Sequence, residues 1–271
     1  MGPVKGLNLA LTLLALLSAF AVRGLTQEPA SEQAPATKLD SPLTVDQVVD
    51  RLERKNAERK QEMARLEGRR IYRLVYRGFP GDREAQMQVR CVYQNPDDKQ
   101  FFIQQSSGSK VILDKVFQKL LEGEQEATQP QNEQRSILSR DNYSFTLVAY
   151  EQGPEGTTYV LQVEPKSKNR FLYVGRIWVD GDDFAVKKIR AEPAKNPSFW
   201  TKKNEIEHEY MKVGDFWVPV RNRSVSSTRL GGTATLTIEY SDYEIKSKQG
   251  ETASSDRPST ASAKRMHGEE Q

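Results

Sequence analysis

Histidines are the first residues to consider for chemistry, and the chain has two of them, His208 and His267. Two histidines alone assemble neither a metal site with several histidine ligands nor a histidine-based triad. The sequence also has no G-x-S-x-G elbow, no phosphate-binding glycine-rich loop and no dinucleotide-binding fingerprint. His208 stands in a segment of alternating charge, which is typical of an ordinary strand residue, and His267 stands in a polar tail.

Paired carboxylates are the remaining candidates for acid–base chemistry. Asp182 and Asp183 belong to a predicted tight turn. Glu205, Glu207 and Glu209 alternate with other residues along one predicted strand, as a solvated or edge face does. Neither pattern indicates converging catalytic groups. The sequence therefore predicts a protein that is not an enzyme, with no catalytic residue, no metal and no cofactor.

The single cysteine, Cys91, excludes an internal disulfide. It alternates with Met87, Val89 and Tyr93, which predicts a buried core thiol rather than a reactive one. The formal net charge is only +3, and basic residues are balanced locally by acidic ones. This balance favours no nucleic-acid partner.

The N-terminus has the pattern of an export signal. Lys5 precedes an uncharged apolar run over 7–20, which ends in the small-residue pattern Ala19-Phe20-Ala21. A membrane anchor is the alternative, but the run is shorter than the ~20 apolar residues of a spanning helix. Residues 1–21 are therefore predicted to be a cleaved signal peptide. No cysteine follows for lipidation, so we expect a mature chain released into the periplasm.

Two polar segments flank one predicted domain. Residues 22–40 and 247–271 are rich in Ser, Thr, Pro, Gln and charge, without apolar residues at a fixed period, which predicts disorder. The intervening segment, 41–246, is long enough for one all-β domain.

The domain is predicted to begin with a helix over about 44–66, capped by Thr44 and Gln47. From Arg69 the apolar period changes to two, which predicts three antiparallel strands in a meander. The segment 109–122 then predicts a strongly amphipathic helix that ends at Gly123, and a short helix is predicted over 133–140.

Further strands complete the prediction, at about 143–151, 156–165, 170–180, 182–193, 198–212, 215–228 and 232–245. Glycine-containing turns separate many of them, as in the pairs Gly153-Pro154, Gly181-Asp182, Gly214-Asp215 and Gly231-Gly232. A sheet of roughly ten strands must curl or close. The apolar faces of the sheet and of the inserted helix must meet, either as an ordinary core or around a hydrophobic cavity.

The order of elements resembles that of the periplasmic lipoprotein-carrier superfamily of LolA and LolB. The segment FLYVGRIWVDGDDFAVKKIRAEP at 171–193 is similar to a hairpin of that family. The runs RGFPGDREAQMQV and NPSFWTKKNEIEHEY are similar to exported proteins labelled outer-membrane lipoprotein-sorting proteins. The likeness spans about 44–245.

This resemblance implies a mainly β, α+β fold: a strongly curved, incompletely closed antiparallel β-barrel with a helical lid and an N-terminal helix. It implies a carrier that binds acyl chains of lipoproteins or other lipids beneath the lid and moves them towards the outer membrane. Membrane-bound donor and acceptor proteins are implied as partners of a monomer. In such carriers a polar residue can latch the lid, and Arg70, Arg73 and Arg77 all compete for that role.

Apolar residues on one face of the sheet and one face of the inserted helix are the predicted lipid-binding residues. A one-residue error in strand phase would exchange the two faces of a strand. The predicted set is Leu74, Met87, Val89, Cys91, Ile103, Ile112, Val116, Leu120, Leu147, Leu161, Val163, Ile177, Val186, Val218 and Leu236.

A second function remains open, that of a periplasmic sensor or regulatory protein of the same fold that binds a membrane protein partner. An outer-membrane barrel is disfavoured because strands such as TKKNEIEHEYMK carry charge on both faces. A lysine or arginine facing lipid at mid-depth costs ~2–4 kcal/mol.

Overall fold

A continuous antiparallel sheet of eleven strands forms the body of the protein in a computed structural model. The structure describes residues 41–94, 98–154, 156–169, 171–195, 201–229 and 231–255. The predicted signal peptide and the segment 22–40 lie outside these residues. Within the described residues, no helix combines the length and the apolarity that crossing a membrane requires.

The elements follow one another as the sequence predicted, with shifted ends. They are α1 (Val45–Glu62), β1 (Met63–Arg77), β2 (Arg83–Gln94), β3 (Asp98–Gly108), α2 (Lys110–Ile112), a π-helical turn (Leu113–Phe117), α3 (Gln118–Ala127), α4 (Pro130–Glu133), β4 (Tyr143–Gly153), β5 (Gly156–Pro165), β6 (Tyr173–Asp180), β7 (Val186–Pro193), β8 (Thr201–Val213), β9 (Phe216–Thr228), β10 (Thr233–Ser247) and β11 (Thr252–Ser255). The continuous helical segment 110–127 is called the inserted helix below.

The strand order is β3-β2-β1-β10-β9-β8-β7-β6-β5-β4, with β11 beside β10. Each strand pairs with its neighbour in sequence, except that β1 also pairs with β10 and the inserted helix separates β3 from β4. The two edge strands, β3 and β4, are not paired with each other, so the barrel is incompletely closed. This confirms the predicted curved antiparallel sheet with its two helical elements.

Local chemistry explains where the helices begin and end. The Thr44 hydroxyl accepts from the Gln47 amide, and the Gln47 side chain accepts from the Thr44 amide, which is the predicted capping box. The helix ends at Glu62 instead of 66 because Met63 already pairs with Ser247 of β10.

Three other boundaries differ from the prediction. The inserted helix continues past Gly123, whose Cβ position faces open space, and ends at Ala127. The short helix predicted over 133–140 lies earlier, at Pro130–Glu133, and turns follow it. The sheet also extends beyond the predicted start of the C-terminal tail at 247, because Thr252–Ser255 pair with β10 as β11.

Two separate apolar cores cover the inner face of the sheet. The first core lies between the inserted helix and β1, β2, β9 and β10, and includes Tyr72, Leu74 and Phe117. The second core lies between α1 and β4–β7, and includes Leu52, Leu161 and Ile177. The residues of α1 that pack into the second core all come from its first half, Val48, Val49 and Leu52. The charged second half of α1 contributes none of its buried residues, as predicted.

Candidate functional site

The predicted lipid-binding residues are divided between the two cores. Eight lie in the first core: Leu74, Met87, Val89, Ile112, Val116, Leu120, Val218 and Leu236. Leu161, Val163 and Ile177 lie in the second core, with Leu147 and Val186 partly buried against it. Cys91 is buried but belongs to neither core. The inserted helix therefore contributes three residues of the set and covers five on the sheet, and α1 packs against much of the rest.

Ile103 differs from the rest because its side chain is 60% exposed. It pairs with Val89 and therefore shares the face of a buried residue. However, β3 is an edge strand, so no further strand shields it. Ile103 is therefore exposed in this structure, and its place in the lipid-binding set stays a prediction.

The inserted helix turns one face continuously towards the sheet. Ile112, Val116, Leu120 and Glu124 recur every four residues, and all four are buried. In a regular α-helix a four-residue repeat drifts by about 40° per step around the axis. The π-helical turn is wider, with the Gln118 amide bonded to the Leu113 carbonyl, and it offsets this drift. The acidic Glu124 is thereby carried into the interior with the apolar residues.

Strand phase selects one arginine of β1 to face Glu124. Arg70 has the same parity as Tyr72 and Leu74, and it is buried with them. Arg73 and Arg77 have the opposite parity and lie on the exposed face. The alternation of apolar residues that predicted β1 therefore also indicated which of the three arginines lies on its buried face.

Glu124 is the centre of a buried ion cluster, defined as Arg70, Lys99 and Glu124. Arg70 Nη1 donates to Glu124 Oε2 at 2.6 Å, and Lys99 Nζ donates to the same oxygen at 2.9 Å. The Tyr72 hydroxyl donates to Glu124 Oε1 at 3.3 Å. Both carboxylate oxygens are therefore bound to groups on β1 and β3, which joins the end of the inserted helix to the sheet.

Electrostatics keep Glu124 ionised in this position. Burial raises the pKa of a carboxyl group, but the charges and hydrogen bonds of Arg70 and Lys99 outweigh it and lower the pKa of Glu124 to about 2. The Arg70 guanidinium also lies 5.0 Å from the Tyr240 ring centroid and 5.5 Å from that of Phe101. The ion cluster therefore consists of charge-assisted hydrogen bonds flanked by aromatic rings.

A polar strip divides the two cores on the inner face of the sheet. One row of paired residues crosses the sheet from β2 to β5 through Met87, Tyr72, Ile238, Asn222, His208, Ile189, Ile177 and Leu161. The centre of this row, Asn222 and His208, is polar, whereas most of the positions on either side are apolar. Asn204, Ser224 and Ser226 continue the polar strip along β8 and β9, joined by hydrogen bonds from both hydroxyls to Asn204 Oδ1.

The polar strip and the ion cluster border a cavity of about 310 Å³, called the polar cavity below. Its wall includes Arg70, Lys99, Glu124, His208 and Asn222. Its volume is at the lower end of the ~300–1,000 Å³ that is typical of ligand pockets. This cavity lies beside the end of the inserted helix, where Glu124 and Ala127 contribute to its wall.

His208 is a buried titratable group of this wall, and it is 5% exposed. Burial lowers its pKa to about 4, so His208 is neutral near pH 7. Asn222 Oδ1 is also buried without a partner in the described residues, while Asn222 Nδ2 donates to the Tyr240 hydroxyl at 2.7 Å.

Sequence reasoning missed both His208 and Glu124 as site residues. The signal for His208 lay in the two faces of β8, because Glu205, Glu207 and Glu209 form a charged face opposite a face that carries His208. The signal for Glu124 was the continued four-residue repeat of the inserted helix. Within the described residues, no group of three or more His, Cys, Asp and Glu is placed to hold a metal ion.

Comparisons with known proteins give structural likenesses only. No protein-family model and no curated protein matches the sequence. A domain from Vibrio parahaemolyticus, described as outer membrane lipoprotein-sorting, has a TM-score of 0.41 and 12% identity, covering 74% of this chain and 92% of that one. A LolA superfamily protein from Nitrosomonas europaea has a TM-score of 0.31 and 12% identity, covering 80% and 96%.

The MucA/MucB complex of Pseudomonas aeruginosa also matches, with a TM-score of 0.25 and 10% identity, covering 71% of this chain and 93% of that one. The solved structures similar to this chain thus include the superfamily that the sequence resembles. Likenesses at these scores and identities assign no function.

Proposed function

We propose that this protein is a periplasmic carrier that binds the acyl chains of lipoproteins or other lipids beneath the inserted helix and moves them towards the outer membrane. The buried ion cluster is the observation that carries the proposal. A helix that only completed a core would need no charged contact at its buried end, because replacing a buried ion pair with apolar residues is often neutral or stabilising. A buried ion cluster is consistent with a helix that has to separate from the sheet as well as pack against it.

The free energy gained by burying the apolar side chains of the inserted helix is similar to that gained by burying an acyl chain. Five of its apolar side chains are buried, namely Ile112, Val116, Phe117, Leu120 and Leu121. At ~1.5–3 kcal/mol each, their burial contributes about 8–15 kcal/mol. An acyl chain of ~14 methylenes gains on the order of 10 kcal/mol at ~0.8 per CH₂. Exchange of the helix for an acyl chain is therefore close to balanced.

Lid opening is the mechanism that follows. The ion cluster and the first core hold the inserted helix closed in the unloaded protein. When the helix lifts, the acyl chain enters between Val116 with its neighbours on the helix and the face of β1, β2, β9 and β10 that they cover. Separation of Glu124 from Arg70 and Lys99 marks the open state. Donor and acceptor membrane proteins would bias this equilibrium at each end of the transfer.

Val116→Glu is expected to weaken lipid binding at least tenfold, because a carboxylate would face the acyl chain in an apolar site. Binding is measured with a fluorescent fatty-acid probe, and native mass spectrometry of protein purified from periplasm identifies bound lipid. The matched control is Val111→Glu on the same helix, because Val111 is 44% exposed and is expected to leave binding unchanged.

Far-UV circular dichroism checks that the sheet of the Val116→Glu variant is folded. If that variant is unfolded, Val116→Thr replaces it, since threonine keeps the shape of valine and adds one hydroxyl. Unchanged binding in a folded Val116 variant would rule out the inserted helix as the lid. A protein that carries no lipid and ignores the probe would contradict the carrier itself.

A regulatory protein of the same fold that binds a membrane protein partner is the second candidate. Edge strand β3 favours it, because among the described residues no strand pairs with its outer side, and it exposes Phe102 and Ile103. An exposed edge can bind an extended segment of another protein as an added strand. Capture of a membrane protein by the wild type, lost in an Ile103→Lys variant, together with a negative lipid test, would favour this function.

A further inference from the structure

The polar cavity has groups that the lid mechanism leaves unused. Glu124 occupies Arg70 and Lys99, but Asn222 Oδ1 is buried without a partner within the described residues. The buried His208 borders the same cavity. Buried polar groups in folded proteins are nearly always hydrogen-bonded, so the unpartnered Asn222 Oδ1 calls for an explanation. A ligand that enters the cavity would satisfy Asn222 Oδ1 and reach the His208 ring.

The charges around the cavity favour an anionic ligand. Arg70 and Lys99 contribute two positive charges and Glu124 contributes one negative charge, while His208 is neutral. Glu133, which also borders the cavity, is paired with Lys60 of α1. The local balance is therefore one positive charge, which a monoanion would neutralise.

The neutral groups select phosphate over a simple carboxylate. His208 can donate from one ring nitrogen and accept at the other, whereas Asn222 Oδ1 can only accept. A fatty carboxylate at neutral pH has no donor for Asn222. A phosphate-bearing headgroup supplies one through a hydroxyl or ammonium group beside the phosphate. Tyr240 and Tyr210 also contribute to the wall around these groups.

Resting on the proposed function, we infer that the polar cavity binds the phosphate of a lipid headgroup, which competes with Glu124 for Arg70 and Lys99. The phosphate oxygens take hydrogen bonds from the two cations and from His208. Glu124 loses its partners as the phosphate enters, and the end of the inserted helix is released. Headgroup recognition and lid opening are thereby one event, because the same two cations serve both anions.

The cavity lies where such coupling requires it. The ion cluster joins the last turns of the inserted helix to β1 and β3, while the acyl-binding face begins with Tyr72 and Leu74 on the same strand. Tyr72 contacts Glu124 through its hydroxyl and belongs to the first core. A lipid with its phosphate in the polar cavity would therefore extend its chain directly into the first core.

The test uses the two histidines as paired reporters in protein labelled with ¹³C-histidine. A short-chain lysophospholipid is added at fixed pH, and the ring resonances are followed by NMR. We expect a saturable shift of the His208 resonance and none of the His267 resonance. His208→Gln assigns the signals. Lys99→Met is expected to weaken the apparent affinity about tenfold or more, because a charge-assisted hydrogen bond is lost, and Lys99→Arg to restore most of it.

Each other outcome has a defined meaning. Inorganic phosphate that binds as tightly as the lysophospholipid would make the ligand free phosphate and overturn the headgroup assignment. Decanoate that shifts His208 equally would make it a carboxylate and overturn the selection of phosphate. No shift of His208 with any of the three probes would remove the site.

A parallel measurement separates this inference from the carrier function. Displacement of the fluorescent fatty-acid probe reports acyl-chain binding, whereas the His208 resonance reports the cavity. A lysophospholipid that displaces the probe without moving His208 would leave the carrier intact and overturn the headgroup site. A lysophospholipid shift at His208, in a protein that does not bind the fluorescent fatty-acid probe, would support the headgroup site and contradict the acyl-chain carrier.

Discussion

Glu124→Ala is expected to lower the free energy of unfolding by about 3–5 kcal/mol, the usual cost of removing one partner from a buried ion pair. The substitution leaves Arg70 and Lys99 near each other without the carboxylate that binds both. Arg70 is buried among aromatic rings, so its guanidinium would remain in the interior without the carboxylate that neutralises it. Guanidinium unfolding at about pH 7 measures the loss.

The matched control is Glu239→Ala, which breaks the ion pair of Arg73 on the same strand, β1. Both side chains of that pair are about half exposed, at 49% and 48%. A pair of this kind contributes about 0–1 kcal/mol. A loss for Glu124→Ala no larger than for Glu239→Ala would show that the ion cluster does not stabilise the closed helix.

Hydrogen exchange then distinguishes an ion cluster that holds the inserted helix closed from one that stabilises the whole fold. If Glu124 latches the inserted helix, Glu124→Ala speeds exchange of the amides of 113–127 more than that of the amides of β5 and β6. A uniform increase would indicate general destabilisation instead. The triple variant Arg70→Met, Lys99→Met, Glu124→Met is expected to recover stability, because no buried charge remains unpaired, and to hold the helix closed.

The second large effect is a loss of stability as the pH falls from about 6.5 to about 4, caused by His208. Burial lowers the pKa of His208 to about 4 in the folded protein, from an ordinary value of 6.5. Between these two values the unfolded chain binds a proton at this residue and the folded protein does not. Stability therefore decreases with decreasing pH, by about 3 kcal/mol over the whole interval.

The variant His208→Gln isolates this contribution. Unfolding free energies of wild type and variant are compared at several pH values between about 4 and about 7, and the difference is attributed to His208. The charged groups that border the same cavity are Arg70, Lys99, Glu124 and Glu133. Equal pH dependence in both proteins would show that His208 is not buried in its neutral form.

Glu124 changes the stability of the fold in a lower pH range, so it does not mask the effect of His208. Its pKa is lowered to about 2 from an ordinary value of 4.5, so the stability it provides is present above about 4.5 and is lost as the pH falls towards about 2. The loss of stability caused by His208 occurs mainly at higher pH, between about 6.5 and about 4. The phosphate proposed for the polar cavity would favour the protonated imidazole, and would therefore reduce the wild-type slope.

Local sequence patterns determined most of the elements of this protein. The period of two defined the strands, the Thr44–Gln47 box defined the start of α1, and the run of 109–122 defined the inserted helix, because each depends on residues close together in the chain. Element ends were less well determined. Met63 leaves the helix because of Ser247, a residue far away in sequence.

The site itself was decided only by the tertiary structure. Parity could place Arg70 on the inner face of β1, and the four-residue repeat could place Glu124 on the buried face of the inserted helix. Their contact depends on how the helix crosses the sheet, and no local sequence pattern indicates this for two residues that are 54 positions apart. The polar cavity likewise needs β1 paired with β10. Side chains meet there through backbone pairing between distant segments, which residue types alone do not specify.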